Sequence, residues 1–188
     1  MSTAILYSLA PMILEPAQNC DIDAVADLVN GAYRGQTSRA GWTHEADLLE
    51  GQRTSAQALR GDLAAKPQAV ILILREAAAT ETLGAVWLEP AGERETWYLG
   101  MLTVRPTLQD RKLGRTLLAM AEAFASERGA RKIAITVVSI RLSLIAWYHR
   151  RGYQPTGEMQ LFPYADQRFG APLRDDLEFQ VMAKTLES

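Results

Sequence analysis

VRPTLQDRKLGRTLL, residues 104–118, leaves an apolar run of strand length and enters a pattern of helical period. Pro106 closes the first element, and Gly114 is the only glycine at the junction. Four cations crowd it: Arg105, Arg111, Lys112 and Arg115. The first turn of a helix leaves backbone N–H groups without intrahelical partners. Together with the helix dipole they form an anion site. Gly114 lets a ligand approach the backbone where a side chain would block it. A pyrophosphate fits this design, and so does an ordinary helix start with solvated charges. The stretch contains neither G-x-x-x-x-G-K-[ST] nor G-x-G-x-x-G, which argues against a nucleotide triphosphatase and a dinucleotide fold.

Upstream, "AVILILRE" (69–76) is a continuous apolar run that predicts a strand buried on both faces. "TLGAVWLEP" (82–90) and "TWYLGMLTV" (96–104) follow after short turns, which predicts an antiparallel meander. Leu113, Leu117, Met120, Ala121 and Phe124 mark an amphipathic helix closed at Gly129. "KIAITVV" (132–138) then reads as a strand, and the strand–helix–strand order predicts a parallel crossover. A helix from about Arg141 ends with His149, Arg150 and Arg151 and has Gly152 at C′.

Nearer the N-terminus, "MILEPA" (12–17) is a strand, and Asn19 or Asp21 caps a helix whose apolar face runs from Ile22 to Tyr33, with Gly35 beyond. "GWTHEADLLEG" predicts a short helix with Thr43 as N-cap, and Thr54 or Ser55 opens another carrying Leu59 and Leu63. At the other end, "YQPTGE" is a short strand, 159–173 a loop, and "DLEFQVMAKTL" a final strand. The fold class is mixed α/β: an antiparallel half followed by a βαβ unit.

With 188 residues, 48% of them hydrophobic, the chain suits one globular domain over 12–188, with residues 1–11 as an N-terminal extension. A net charge of -2 gives no global drive toward nucleic acid or anionic membrane. Cys20 is the only cysteine, and His44 and His149 lack a ligand pattern, so neither a disulfide nor a metal is expected. No apolar run reaches transmembrane length, and a cytoplasmic protein is expected.

"RLSLIAWYHRRGYQPTGE" (141–158) adds a second motif: Tyr148 stands four residues before Gly152. A tyrosine hydroxyl can donate to a thiolate leaving group, and it can equally be a partly buried aromatic beside Trp147. The two motifs together resemble the GNAT superfamily of acyl-CoA-dependent N-acyltransferases. In that family a strand ending V-x-P precedes a [QR]-x-x-G-x-[GA] loop, and an aromatic-Tyr helix ends in Gly-aromatic. Here these are Val104-Arg105-Pro106, Gln109 to Gly114, Trp147-Tyr148 and Gly152-Tyr153. Lys112 occupies the usual first glycine position of the loop. The longer pattern looks like bacterial small-molecule members.

The resemblance implies a mostly antiparallel sheet with helices on both faces, splayed between the fourth and fifth strands, 96–104 and 132–138. It implies acetyl-CoA as co-substrate, with backbone groups of Leu102, Thr103 and Val104 holding the pantetheine arm. It places the pyrophosphate on Gln109, Asp110, Arg111, Lys112, Leu113, Gly114, Arg115 and Thr116. Tyr148 would protonate the departing thiolate, and the Val104 N–H would face the carbonyl oxygen. Glu45 is the expected base, with Glu89 and Glu158 as alternatives. Trp42, Arg53, Trp87 and Phe162 are expected on the acceptor side, and the 159–173 loop either closes over the acceptor or forms a homodimer contact. The expected reaction is direct acetyl transfer to a small primary amine. Protein N-terminal or lysine acetylation, and a CoA-binding sensor without turnover, are the competing readings.

Overall fold

The computed structural model describes residues 11–34, 38–39, 41–77, 79–92, 95–166 and 170–187. The expectations on residues 1–10 and on Gly35 as a helix stop lie outside the described residues. Seven strands form one sheet: β1 (Met12–Pro16), β2 (Val70–Glu76), β3 (Gly84–Pro90), β4 (Thr96–Val104), β5 (Lys132–Val138), β6 (Gln154–Leu161) and β7 (Glu178–Thr185). Their spatial order is β1-β2-β3-β4-β5-β7-β6. Only β4 and β5 run parallel; the other neighbours are antiparallel. Helices α1 (Ile22–Tyr33), α2 (Ala56–Ala65), α3 (Leu113–Ser126) and α4 (Leu142–His149) flank the sheet.

The continuous apolar run of β2 divides between the two faces, as alternation along a strand requires. Leu72 and Leu74 join Val86 and Leu88 of β3 in a core closed by Leu117, Leu118 and Ala121 of α3. Ile71 and Ile73 join Ala85 and Trp87 in a second core, closed by Val25, Ala26 and Val29 of α1 and Leu59 of α2. Both faces of the central strands are therefore dry. Truncating any one of these Leu or Ile side chains to Ala would cost about 2–5 kcal/mol. α2 starts as its sequence predicts, with the Ser55 hydroxyl accepting from the Ala58 N–H at 3.1 Å.

Two sequence expectations fail. Residues 42–43 and 46–48 form turns, not a helix, and Leu49–Glu50 pairs with Ala171–Pro172 in a small separate ladder. Long-range polar partners, described below, take the groups that would have capped that helix. The segment after Gly152 is also longer than a short strand, and β6 runs to Leu161 along β7. Every residue of β6 is exposed, so it carries no apolar periodicity to read. No helix among the described residues is long and apolar enough to cross a membrane.

Candidate active site

β4 and β5 pair only at Thr96–Tyr98 with Lys132–Ala134. Beyond that point they separate around a cleft of about 820 Å³ lined by Tyr98 to Leu102 on one side and Ala134 to Val138 on the other. A β-bulge marks the divergence. Ala85 pairs with Thr103 and Trp87 with Gly100, so Met101 and Leu102 together oppose Val86. Met101 absorbs the extra residue in a left-handed conformation, φ 53. The Tyr98 ring lies where a Cβ on Gly100 would stand, at 2.8 Å. The Tyr98 hydroxyl bridges to Thr136 Oγ1 across the strands at 3.0 Å.

The bulge fixes which backbone groups face the cleft. The Thr103 carbonyl points toward β3, 2.9 Å from the position of a Cβ on Gly84, and the Arg105 N–H donates to Leu83 O at 3.0 Å. Alternation then turns the N–H and C=O of Val104 to the opposite edge, from which β5 has departed. Thr103 is thus turned into the sheet, contrary to its expected contact with the pantetheine arm. The Leu102 carbonyl already accepts from the Tyr33 hydroxyl at 2.8 Å.

A smaller cavity of about 280 Å³ lies at the start of α3 and is bordered by Lys112, Gly114, Arg115, Trp147, Tyr148 and Arg151, among others. Lys112 joins a 3-10 turn (Pro106–Arg111) to α3 with φ 61 and ψ 10, the left-handed geometry that a glycine adopts without strain. The amides of Arg115 and Thr116 both donate to Lys112 O, at 3.0 and 3.1 Å. The open donors of this turn therefore end at Gly114, two residues earlier than expected. The side chain of Asp110 lies outside the described residues. Leu113 is buried in the core beneath.

Gly114 has ample room on the protein side. A Cβ there would sit 3.6 Å from Trp147 and 3.8 Å from Val104, ordinary contacts. The space it leaves open belongs to the cavity. Among the described residues Arg111, Lys112 and Arg115 make no ion pair. Arg111 is exposed and off the cavity wall. Arg105 is committed elsewhere, to Glu81 at 3.0 Å and Thr82 O at 3.2 Å.

Arg151 is a contributor that the sequence reading missed. It stacks on Trp147 at 3.6 Å and donates to Trp147 O at 2.6 Å, one helical turn back. Burial lowers its pKa, and the neighbouring charges of Arg150 and Arg115 lower it further. Such crowding of cations favours a bound anion. The donor set, the cations and the unfilled space at Gly114 fit the pyrophosphate of acetyl-CoA.

Trp42 lines this smaller cavity, not the large cleft. Its ring lies tilted at 48° against Trp147, with centroids 6.3 Å apart. Its N–H donates to Gln109 Oε1 at 3.0 Å, while Gln109 Nε2 donates to Thr43 Oγ1 at 3.0 Å. Gln109 thus clasps the 41–43 segment with its side chain. Thr43, the expected helix cap, uses its hydroxyl for Gln109 and its carbonyl for Arg141.

Tyr148 lies where the two cavities meet and lines both. Trp147 and Tyr153 pack edge-on against its ring. Burial raises its pKa, so the hydroxyl carries its proton at neutral pH. The hydroxyls of Tyr33, Tyr98, Tyr153 and Tyr164 all bond to protein groups. Among the described residues the Tyr148 hydroxyl has no such partner.

The acceptor-side expectations divide. Glu45 is buried, and both its oxygens are taken: Oε1 accepts from Arg141 at 3.1 Å and Oε2 from Arg34 at 3.1 Å, with Arg53 at 3.8 Å. Guanidinium contacts thus occupy both oxygens of the expected base. Glu89 and Glu158 line the large cleft; Glu89 is held by Lys66 at 2.8 Å. Arg53 lines the cleft. Trp87 is buried between β3 and α1 and borders a separate recess of about 580 Å³. Phe162 sits in a small core with Leu49, Val138 and Leu177, away from the cleft wall. No group of three or more His, Cys, Asp or Glu able to hold a metal occurs among the described residues.

Known structures share this architecture. The ribosomal-protein-S18-alanine N-acetyltransferase of Escherichia coli superposes with a TM-score of 0.67 at 13% identity, covering 95% of this chain and 96% of that one. A Salmonella typhimurium protein solved with its cofactor acetyl-CoA gives 0.65 at 18%, covering 94% and 95%. A spermidine N-acetyltransferase chimera from Vibrio cholerae and a human enzyme gives 0.65 at 14%, covering 93% and 95%. No curated protein matches the chain by sequence. The sequence profile of the acetyltransferase (GNAT) family matches residues 27–153. The splayed sheet, the cationic start of α3 and that match agree: the chain belongs to the GNAT family and is an acetyl-CoA-dependent N-acetyltransferase.

Proposed function

We propose that the acceptor is the primary amine of a small molecule and that Tyr148 assists departure of the thiolate. The observation that carries this reading is the Tyr148 hydroxyl, held protonated at the meeting point of the two cavities without a protein partner. A sensor without turnover has no use for such a donor. Acetyl-CoA supplies the activated acetyl group as a thioester. The residues up to Gly114, with Lys112, Arg115 and Arg151, hold its phosphates, and Val104 offers the edge of β4 to the rest.

An alkylamine with a pKa of about 10 is mostly protonated at neutral pH and must lose a proton before it attacks. Glu158, which lines the cleft and makes no ion pair among the described residues, is the carboxylate proposed to receive it. The Val104 N–H is positioned on the open edge to stabilise negative charge on the carbonyl oxygen. A thiol has a pKa near 8.5 and a tyrosine near 10, and burial moves Tyr148 further from the thiol. Complete transfer from Tyr148 is therefore uphill. Its contribution is a hydrogen bond to sulfur that strengthens as the C–S bond breaks.

The test is a panel of small amines and N-terminal peptides with acetyl-CoA, followed by free-thiol release and by mass spectrometry of the product. Turnover of a small amine supports the reading. Acetylation of peptides alone, or tight acetyl-CoA binding with no turnover of any amine, refutes it.

A further inference from the structure

A recess of about 520 Å³ lies between one stripe of α3, with Arg115, Leu118 and Glu122, and the residues that follow α4, Arg150 and Arg151. Lys184 of β7 stands beside them. The recess adjoins the cavity at the start of α3, and Arg115 and Arg151 line both. It shares no lining residue with the large cleft. A group bound there therefore belongs to the co-substrate, not to the acceptor.

The charges of the recess do not cancel. Its one carboxylate, Glu122, is already satisfied: Oε1 accepts from the Tyr153 hydroxyl at 3.0 Å and Oε2 from Lys184 at 2.6 Å. That neutral pair leaves three guanidiniums. Among the described residues no carboxylate pairs with Arg115, Arg150 or Arg151. Arg115 and Arg150 make no side-chain hydrogen bond there either. Arg151 gives Nη1 to Trp147 O, and its buried Nε has no partner. Burial lowers the Arg151 pKa, and the charges of Arg150 and Arg115 reach it as well, so the three lie close together. Arg115 and Arg150 are exposed. Water screens their repulsion in the free protein and leaves both available to a ligand.

Acetyl-CoA carries a third phosphate besides its pyrophosphate, on the 3′-oxygen of the ribose, and a single sugar joins the two groups. A pyrophosphate at Lys112 and Gly114 must therefore place a second anionic group one sugar away. Arg115 and Arg151, common to both cavities, put the recess within that reach. We propose that the recess takes the 3′-phosphate of the CoA ribose, and that Arg150, with Arg115 and Arg151 beside it, makes the enzyme select CoA over dephospho-CoA. The guanidinium fork matches phosphate oxygens in pairs. This inference rests on the pyrophosphate lying at Lys112 and Gly114, and it adds Arg150 to the residues that read the co-substrate.

The experiment is calorimetric titration of the full chain with CoA and with dephospho-CoA, which lacks only the 3′-phosphate. CoA should bind about 3- to 30-fold tighter, the value of a few exposed charge pairs. Arg150→Gln should bring that ratio toward one, and Arg150→Lys should keep part of it. Equal Kd values for the two compounds in the wild type, or an R150Q variant with the full ratio, overturns the proposal. The wild-type ratio tests it even if a variant folds poorly. Gly114→Ala separates the two sites, since it should raise both Kd values and keep the ratio. If it changes neither Kd while the ratio holds, the recess is still supported and the placement of the pyrophosphate alone fails. Binding of neither compound to the wild type overturns both.

Discussion

Replacing Gly114 with alanine separates a glycine the fold requires from a glycine a ligand requires. The added Cβ would meet only Trp147 at 3.6 Å and Val104 at 3.8 Å, neither of them a clash. Gly114 lies in the first turn of α3, where alanine is the better helix former by roughly 0.5–1 kcal/mol. The ligand-free protein should therefore be stabilised, with Tm rising by about 1–4 °C for a chain of this size. The same methyl group projects into the cavity where the pyrophosphate must reach the backbone. Losing one charged hydrogen bond costs about 1.5–3 kcal/mol, so the Kd for acetyl-CoA should rise by about 10- to 150-fold. Thermal unfolding of the free protein and calorimetric titration with acetyl-CoA measure the two effects separately. A lower Tm would show that Gly114 serves the fold, and an unchanged Kd would show that the phosphates lie elsewhere.

Lys112→Gly should relieve the left-handed strain at the junction into α3, worth roughly 1–2 kcal/mol before the extra entropy of glycine is subtracted. The free protein should gain about 0.5–1 kcal/mol in urea unfolding, while CoA affinity falls about two- to fivefold through the lost cation. A less stable variant would refute the strain argument. Asp21→Asn tests the entry to α1. The Asp21 carboxylate accepts from the Gln18 N–H at 2.7 Å and from Arg75 at 2.6 Å, and these bonds, the backbone one first, hold its pKa down. A depressed carboxylate contributes stability above its unfolded pKa of about 3.9 and loses it as pH falls through the folded value. The variant should be weaker by about 1 kcal/mol at pH 7, with the deficit shrinking below pH ~4. A deficit independent of pH would contradict the assignment.

How much of this was legible beforehand depended on where each residue finds its partners. β2, β3 and β4 were readable because their own side chains form two dry faces. The start of α3 was readable because its cations and its single glycine are neighbours in sequence; the left-handed turn at Lys112 was not. The 41–50 segment was misread because Thr43 and Glu45 bond to Gln109 and Arg141, more than 60 residues away. Glu45 looked like a free acid for the same reason: nothing local announces three guanidiniums from three other elements. The bulge at Met101 was hidden as well, since a methionine at positive φ carries no local signature. Arg151 could have been found, because it follows Trp147 at a spacing of four on a helix.

The role of Tyr148 is tested most directly by Tyr148→Phe, assayed for thiol release with the preferred amine at saturating substrates and titrated with acetyl-CoA. The ring packs against Trp147 and Tyr153, and the hydroxyl has no partner among the described residues, so the variant should fold and bind acetyl-CoA as the wild type does. Its kcat should fall by about 10- to 100-fold, the value of a hydrogen bond to a developing charge. Equal kcat in the two proteins, with equal acetyl-CoA affinity, would contradict the assignment of Tyr148 to the departing sulfur.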